Sequence, residues 1–110
     1  MNHVAKVTRR GVPLQHTVDV AYGLLCIEQC RRLGYMETPV TVNVESTIAL
    51  LEEASAIGTE PRGTAIRDVV GNTVVEEDLE LVLNLIRKVQ DQHGDPRVAL
   101  AQNTESSQGK

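Results

Sequence analysis

The sequence predicts a mainly α-helical fold, with three to four helices in a small bundle and a short extended or strand segment near residues 38–44. Two observations predict the helices of this fold. Apolar residues recur at helical spacing over 13–33 and 74–93, and a glycine follows each segment. The length of 110 residues fits one domain. We expect three parts: a flexible N-terminal arm (1–12), a single helical domain (13–94) and a mobile C-terminal tail (95–110).

The first predicted helix begins at Pro13, whose fixed φ suits a first turn, and ends at Gly34. Its apolar positions change face along its length. One face carries Leu14, Val18, Ala21 and Leu25. The nearly opposite face carries Cys26, Cys30 and Leu33. Either the helix bends near Gly23 or its two halves pack against different neighbours, and such a helix is easier to bury in an assembly than in a monomer.

The middle of the chain is predicted to hold a connector and two helices. Residues 38–44 alternate as in a strand, but Asn43 is also a good N-cap, so an extended connector is the alternative. A helix is predicted over 44–57. A short helix is predicted over 64–71, and a hairpin turning at Gly71-Asn72 is its alternative.

The last predicted helix, 74–93, carries the most information about function. Thr73 and Glu76 have the spacing of a capping box at its start. On a helical wheel its apolar arc spans about 200°, whereas an ordinary surface helix needs a stripe of about 100°. One neighbouring layer can cover the side of the arc that carries Leu79, Leu83 and Ile86. The flank at 81 and 85 must then meet something else.

That flank is either an interface or is enclosed by a third layer, for which 110 residues provide few helices. Aromatic residues make up only 2% of the chain, so the core must use smaller aliphatic side chains. Binding a second copy is a common way for a small domain to bury more area, and we expect a homodimer. We assign the partner-binding or dimer interface to Leu81, Val82, Leu85 and Val89.

The charge balance argues against several classes of partner. The chain has 11 Lys and Arg against 15 Asp and Glu, a net charge of −4, so no direct nucleic-acid binding is expected. Basic residues cluster only in the arm, at Lys6, Arg9 and Arg10. The longest apolar run, 20–27, has eight residues, whereas a membrane span needs about twenty. We expect a cytoplasmic protein with reduced thiols and no membrane partner.

The sequence predicts no catalytic site, cofactor or metal. Cys26 and Cys30 share a side of their helix, but no second ligand pair follows, so we interpret them as small buried residues. The acidic runs at 52–53 and 76–78 fit a solvated face and a helix N-terminus. Phosphate-loop, dinucleotide and nucleophile-elbow motifs are not found. We therefore do not expect an enzyme.

With its wide apolar arc over 79–89 and its split-faced helix over 13–33, the chain resembles the QslA-like quorum-sensing anti-activators, which act on LuxR-type transcription factors. The resemblance covers residues 13–93 and includes overall length, acidity and few aromatic residues. It implies a bacterial homodimer that docks on the ligand-binding domain of such a factor and covers its dimerisation surface. DNA binding is then blocked, because a monomeric activator binds a two-fold operator poorly. Two alternatives remain: an accessory or structural helical homodimer, and a small DNA-associated regulator that uses the basic arm.

Overall fold

The described part of the chain forms a bundle of five α-helices. The computed structural model describes residues 11–38 and 40–108, without the side chains of 64–65 and 103–108. The helices are α1 (Leu14–Arg32), α2 (Val44–Ala56), α3 (Gly63–Gly71), α4 (Leu79–His93) and α5 (Pro96–Gln108). The mainly α class is therefore confirmed, with one helix more than the predicted three to four. The basic residues Lys6, Arg9 and Arg10 lie outside the described residues.

The central helix is α1, which contacts each of the other four. Its N-terminal half packs with α2 and α5 in a first core cluster: Val18, Ala21, Leu25, Val44, Leu51, Ala54 and Leu100. Its C-terminal half packs with α3 and α4 in a second: Cys26, Ile27, Cys30, Val69, Val70, Ile86 and Val89. The apolar stripe changes face because the two halves of one helix serve two clusters. Of the two explanations for the split-faced helix, packing against different neighbours is the one observed.

The helices α1 and α3 approach closely at Gly23. A Cβ added to Gly23 would lie 2.8 Å from the Cβ of Val69, well inside van der Waals contact. Because the contacting atom is attached directly to the α3 backbone, a side chain at Gly23 would push the two helices apart. A glycine here fixes the α1–α3 distance.

The connector before α2 contains no strand in its described residues, 38 and 40–43. Asn43 is the N-cap of α2, and its side chain accepts a 3.0 Å hydrogen bond from the backbone N–H of Ser46. The extended-connector alternative is therefore the observed one. Residues Gly63–Gly71 form a helix, so the hairpin alternative at Gly71-Asn72 is wrong.

The start of the last predicted helix needs a correction. Residues Glu76–Asp78 form a turn of 3₁₀ helix, and α4 begins only at Leu79. The predicted capping box does not form, because Thr73 belongs to the turn that ends α3. Its hydroxyl donates a 2.9 Å hydrogen bond to the carbonyl of Val69.

The predicted tail over 95–110 also needs a correction, because residues 96–108 form α5. Asp95 caps it: its carboxylate accepts a 2.8 Å hydrogen bond from the backbone N–H of Arg97. Pro96 takes the first helical position, where its missing N–H is not needed. Leu100 is buried in the first core cluster, so the helical domain extends past 94. Within the described ranges, no helix combines the length and apolarity that a membrane crossing requires.

Candidate protein-docking site

The four residues assigned to an interface differ widely in exposure. Leu81 is 70% exposed. Val82 and Leu85 are half-buried and pack against the second core cluster. Val89 is only 1% exposed and belongs to that cluster, so its assignment to a partner-facing surface is wrong. The fold covers more of the α4 arc than one layer was expected to cover.

The explanation is that α4 packs against several helices rather than one. Both α1 and α3 contact α4, and together they cover the part of the arc centred on Ile86 and Val89. Only the edge of the arc that carries Leu81 lies beyond their reach. The α4 helix is therefore neither fully enclosed nor open along its whole apolar flank.

Leu81 borders a groove of about 410 Å³ between α4 and the turn that follows α1. Tyr35, 48% exposed, and the half-buried Met36 line the groove from that turn. We define the α4 patch as the five mainly apolar residues Tyr35, Met36, Leu81, Val82 and Leu85. Asn84 and Lys88 complete the lining of the groove.

The turn after α1 holds Tyr35 in a fixed position. The backbone N–H of Tyr35 donates to the carbonyl of Cys30 at 3.0 Å, and that of Gly34 donates to Arg31 at 3.0 Å. This is the Schellman arrangement, which requires a left-handed residue, and Gly34 has φ of +82°. Sequence reasoning missed Tyr35 and Met36, although an aromatic residue directly after a helix-ending glycine was an available signal.

A buried carboxylate lies at the same end of α1. Glu28 is buried, and both of its carboxylate oxygens accept hydrogen bonds from Arg31, at 2.8 and 2.7 Å. Arg32 donates a further bond at 2.9 Å. These hydrogen bonds, first those from Arg31, hold the pKa of Glu28 below its usual value. The carboxylate is fully used inside α1, which gives it a role in the shape of the helix end rather than in binding.

The two cysteines lie in the core, as predicted from their spacing. Burial, followed by the nearby Cys30, raises the pKa of the Cys26 thiol to about 12. Burial raises the pKa of the Cys30 thiol to about 11. Both side chains are therefore protonated thiols at neutral pH, and a thiol is a poor nucleophile and a poor metal ligand. No group of three or more potential metal-binding His, Cys, Asp or Glu residues occurs in the described part of the chain.

A second polar group lies where α1, α4 and α5 meet. The amide of Gln90 donates to the hydroxyl of Tyr22 at 3.1 Å and to the sulfur of Cys26 at 3.4 Å. The guanidinium of Arg97 lies 5.3 Å from the centre of the Tyr22 ring and binds the carboxylate of Asp95. Burial, with smaller effects from Cys26 and Asp95, raises the pKa of Tyr22 to about 12. This network ties α5 to the bundle, and its tyrosine carries its proton at neutral pH.

Comparisons of the chain with protein-family models, with curated proteins and with solved structures give no match. The arrangement of the α4 patch itself is therefore the basis for assigning a function.

Proposed function

We propose that this chain is a cytoplasmic, non-enzymatic protein-interaction domain that binds a partner protein through the α4 patch. The observation that carries the proposal is the 70% exposure of Leu81 beside the half-buried Leu85 and Val82. A large apolar side chain left in water beside an apolar groove favours burial against another protein. Covering one such leucine contributes on the order of 1–2 kcal/mol to binding.

We propose that the partner contributes an α-helix to this site. The groove runs between α4 and the turn at Tyr35, so a helix laid along it would contact α4 on one side and an aromatic ring on the other. The rim carries Lys88, which forms no ion pair with any described residue. An apolar helix face with an acidic residue at its edge would therefore match both the floor and the rim.

As the partner we propose the ligand-binding domain of a LuxR-type transcription factor, in keeping with the resemblance found in the sequence. Such a factor binds its two-fold operator as a dimer. A bound copy of this chain would cover helices through which the factor dimerises, and the affinity of the factor for its operator would fall. The mechanism is competition for a surface and needs no catalytic group.

The test is a mobility-shift assay on the complex of a LuxR-type factor with its operator. We expect the wild-type chain, added in stoichiometric amount, to dissociate the complex. Leu81→Asp places a charge in the centre of the patch and is expected to abolish the effect. Val98→Asp introduces the same charge at another apolar residue, 55% exposed on α5, and is the matched control.

Three results would contradict the proposal. In the first, the operator complex survives addition of the wild-type chain. In the second, Val98→Asp impairs dissociation of the complex as much as Leu81→Asp does. A shift of DNA by the chain alone, lost when Lys6, Arg9 and Arg10 are changed to alanine, would instead favour the DNA-associated regulator.

A structural helical homodimer is the second candidate. It is favoured by the same exposed leucine, because an apolar patch on one copy is also present on the other. This candidate predicts self-association without any effect on transcription-factor complexes.

A further inference from the structure

We propose that the α4 patch binds a second copy of this chain in an antiparallel α4–α4 pair, so that self-association and partner binding compete. The inference rests on the proposed function, because it gives the same docking surface a second occupant. It is carried by the order of charged and apolar residues along one face of α4.

That face is a strip of five residues, which we call the α4 seam. Its members recur at alternating steps of three and four, the spacing at which one helix keeps contact with another. They are Asp78, Leu81, Leu85, Lys88 and Gln92. All are exposed except the half-buried Leu85. Asp78 directly precedes α4 and already has helical dihedral angles, so it continues the seam.

The seam is complementary to itself in one direction only. In an antiparallel pair with its two-fold axis midway between Leu81 and Leu85, each of these leucines faces the other on the second copy. The same register sets the carboxylate of Asp78 opposite the ammonium of Lys88, and the two-fold axis repeats the contact. A parallel pair would instead set Asp78 against Asp78 and Lys88 against Lys88, which charge repulsion disfavours.

The two charged residues are free to make these contacts. Neither Asp78 nor Lys88 forms an ion pair with another residue in the described ranges. Tyr35 flanks the seam at the groove and would be covered by the second copy. The seam thus has an acidic end, two leucines and a basic end. This order is complementary to the same order read in the opposite direction, as in an antiparallel second copy.

The size of the seam indicates a weak dimer. Helix α4 has 15 residues and is about 22 Å long. A contact of one such helix and its adjoining turn is smaller than the roughly 800 Å² per partner of a standard stable interface. A dimer of this size exchanges readily, so a protein that offers a larger matching surface would displace the second copy. Self-association would then set the concentration of copies able to bind the partner.

The test is sedimentation of the full chain over a wide concentration range, with charge reversals at the seam. We expect the wild-type chain to show a reversible monomer–dimer equilibrium. Lys88→Glu sets two acidic pairs across the interface and Asp78→Lys sets two basic pairs, so each is expected to weaken dimerisation about tenfold or more. An equimolar mixture of the two variants restores both attractive contacts and should dimerise again, as should the double variant.

The matched controls carry the same charge changes on other surfaces. Arg87→Glu lies on a different face of α4, and Glu53→Lys lies on the exposed side of α2. Both should dimerise like the wild-type chain. Recovery in the mixture also verifies that each single variant is folded, because an unfolded chain could not supply its half of the interface.

The inference is overturned if the wild-type chain is monomeric at every concentration, or if its dimer withstands both single reversals. These failures are separate from failure of the proposed function. A monomeric chain that still dissolves the receptor–operator complex, with loss in Leu81→Asp, removes the dimer and leaves the docking function. If dimerisation responds to the charge reversals as expected but the chain has no effect on the receptor–operator complex, the dimer is supported and the docking function is contradicted.

Discussion

In α1 the apolar residues are spread around the helix, whereas in α4 they lie mainly on one side, yet α1 is the more deeply buried of the two. Nine residues of α1 are buried and only two of α4. A helix with apolar residues on all sides needs neighbours on all sides, and α1 has four of them. A strongly amphipathic helix needs cover on one side only, and α4 lies at the surface.

The difference between α1 and α4 indicates which surface of the protein is open to a partner. The split face of α1 was a second hint of an unsatisfied surface, beside the wide apolar arc of α4, because its two apolar faces point in different directions. The fold covers most of both faces within one chain, with α2 and α5 on one half and α3 and α4 on the other, and leaves Leu33 exposed at the end of α1. Among the large apolar side chains of the described residues, Leu81 of α4 is the most exposed, and it lies beside a groove that the turn after α1 helps to form.

The free energy of unfolding should change most when a buried leucine of α1 is replaced by alanine, and an exposed leucine of α4 provides the matched comparison. Leu25→Ala removes a side chain with 0% exposure from the centre of α1 and should destabilise the fold by about 2–5 kcal/mol. Leu81→Ala removes an exposed side chain from α4 and should change the free energy of unfolding by less than about 0.5 kcal/mol. Urea denaturation at low protein concentration measures both without a contribution from dimers. Equal losses would show that α4 is buried as deeply as α1.

A smaller effect is expected where α1 meets α3. Gly23→Ala places a Cβ within 2.8 Å of the Cβ of Val69 and should destabilise by about 1–3 kcal/mol, because the helices must separate. Gly71→Ala is the matched control, since an added Cβ there meets nothing within 4 Å. That variant should be neutral or more stable by up to about 1 kcal/mol, as alanine restricts the unfolded chain. A Gly23→Ala variant as stable as wild type would contradict the close approach.

The sequence predicted most of the local structure and part of the site. Helical spacing located α1, α2 and the body of α4, and Asn43 marked the start of α2, because these signals depend on neighbouring residues alone. The α5 helix was missed because its apolar period is short, although Asp95 before Pro96 is a helix-start signal.

The site was harder to predict because it depends on contacts between distant segments. A wheel placed Leu81 on the flank correctly but could not tell that α1 and α3 together would bury Val89. Nor could it bring Tyr35 beside Leu81, because that contact requires the path of the chain between α1 and α4. Residue periodicity gives the face of a helix, and only the packing decides how much of the face is left open.

A third comparison is between the buried carboxylate of Glu28 on α1 and the exposed carboxylate of Glu80 on α4. Glu28→Gln removes the buried carboxylate of α1, which accepts three hydrogen bonds from two arginines, and should destabilise by about 1–3 kcal/mol at pH 7. Glu80→Gln breaks the exposed pair between α4 and Arg67 and should change stability by at most about 0.5 kcal/mol. Urea denaturation of both variants and the wild type, repeated from pH 7 downward, measures the difference.

The pH dependence of the Glu28 effect follows from the sign of its shift. Hydrogen bonds from Arg31 lower the pKa of Glu28 in the folded chain, so folding favours the ionised form. The contribution of the Glu28 carboxylate to stability is complete above the pKa that it has in the unfolded chain, and it is lost as the pH falls through the lower folded value. The gap between wild type and Glu28→Gln should therefore narrow below about pH 4. A gap that stays constant to lower pH would mean that the variant acts through packing alone, because the loss of packing does not depend on the charge of the carboxylate.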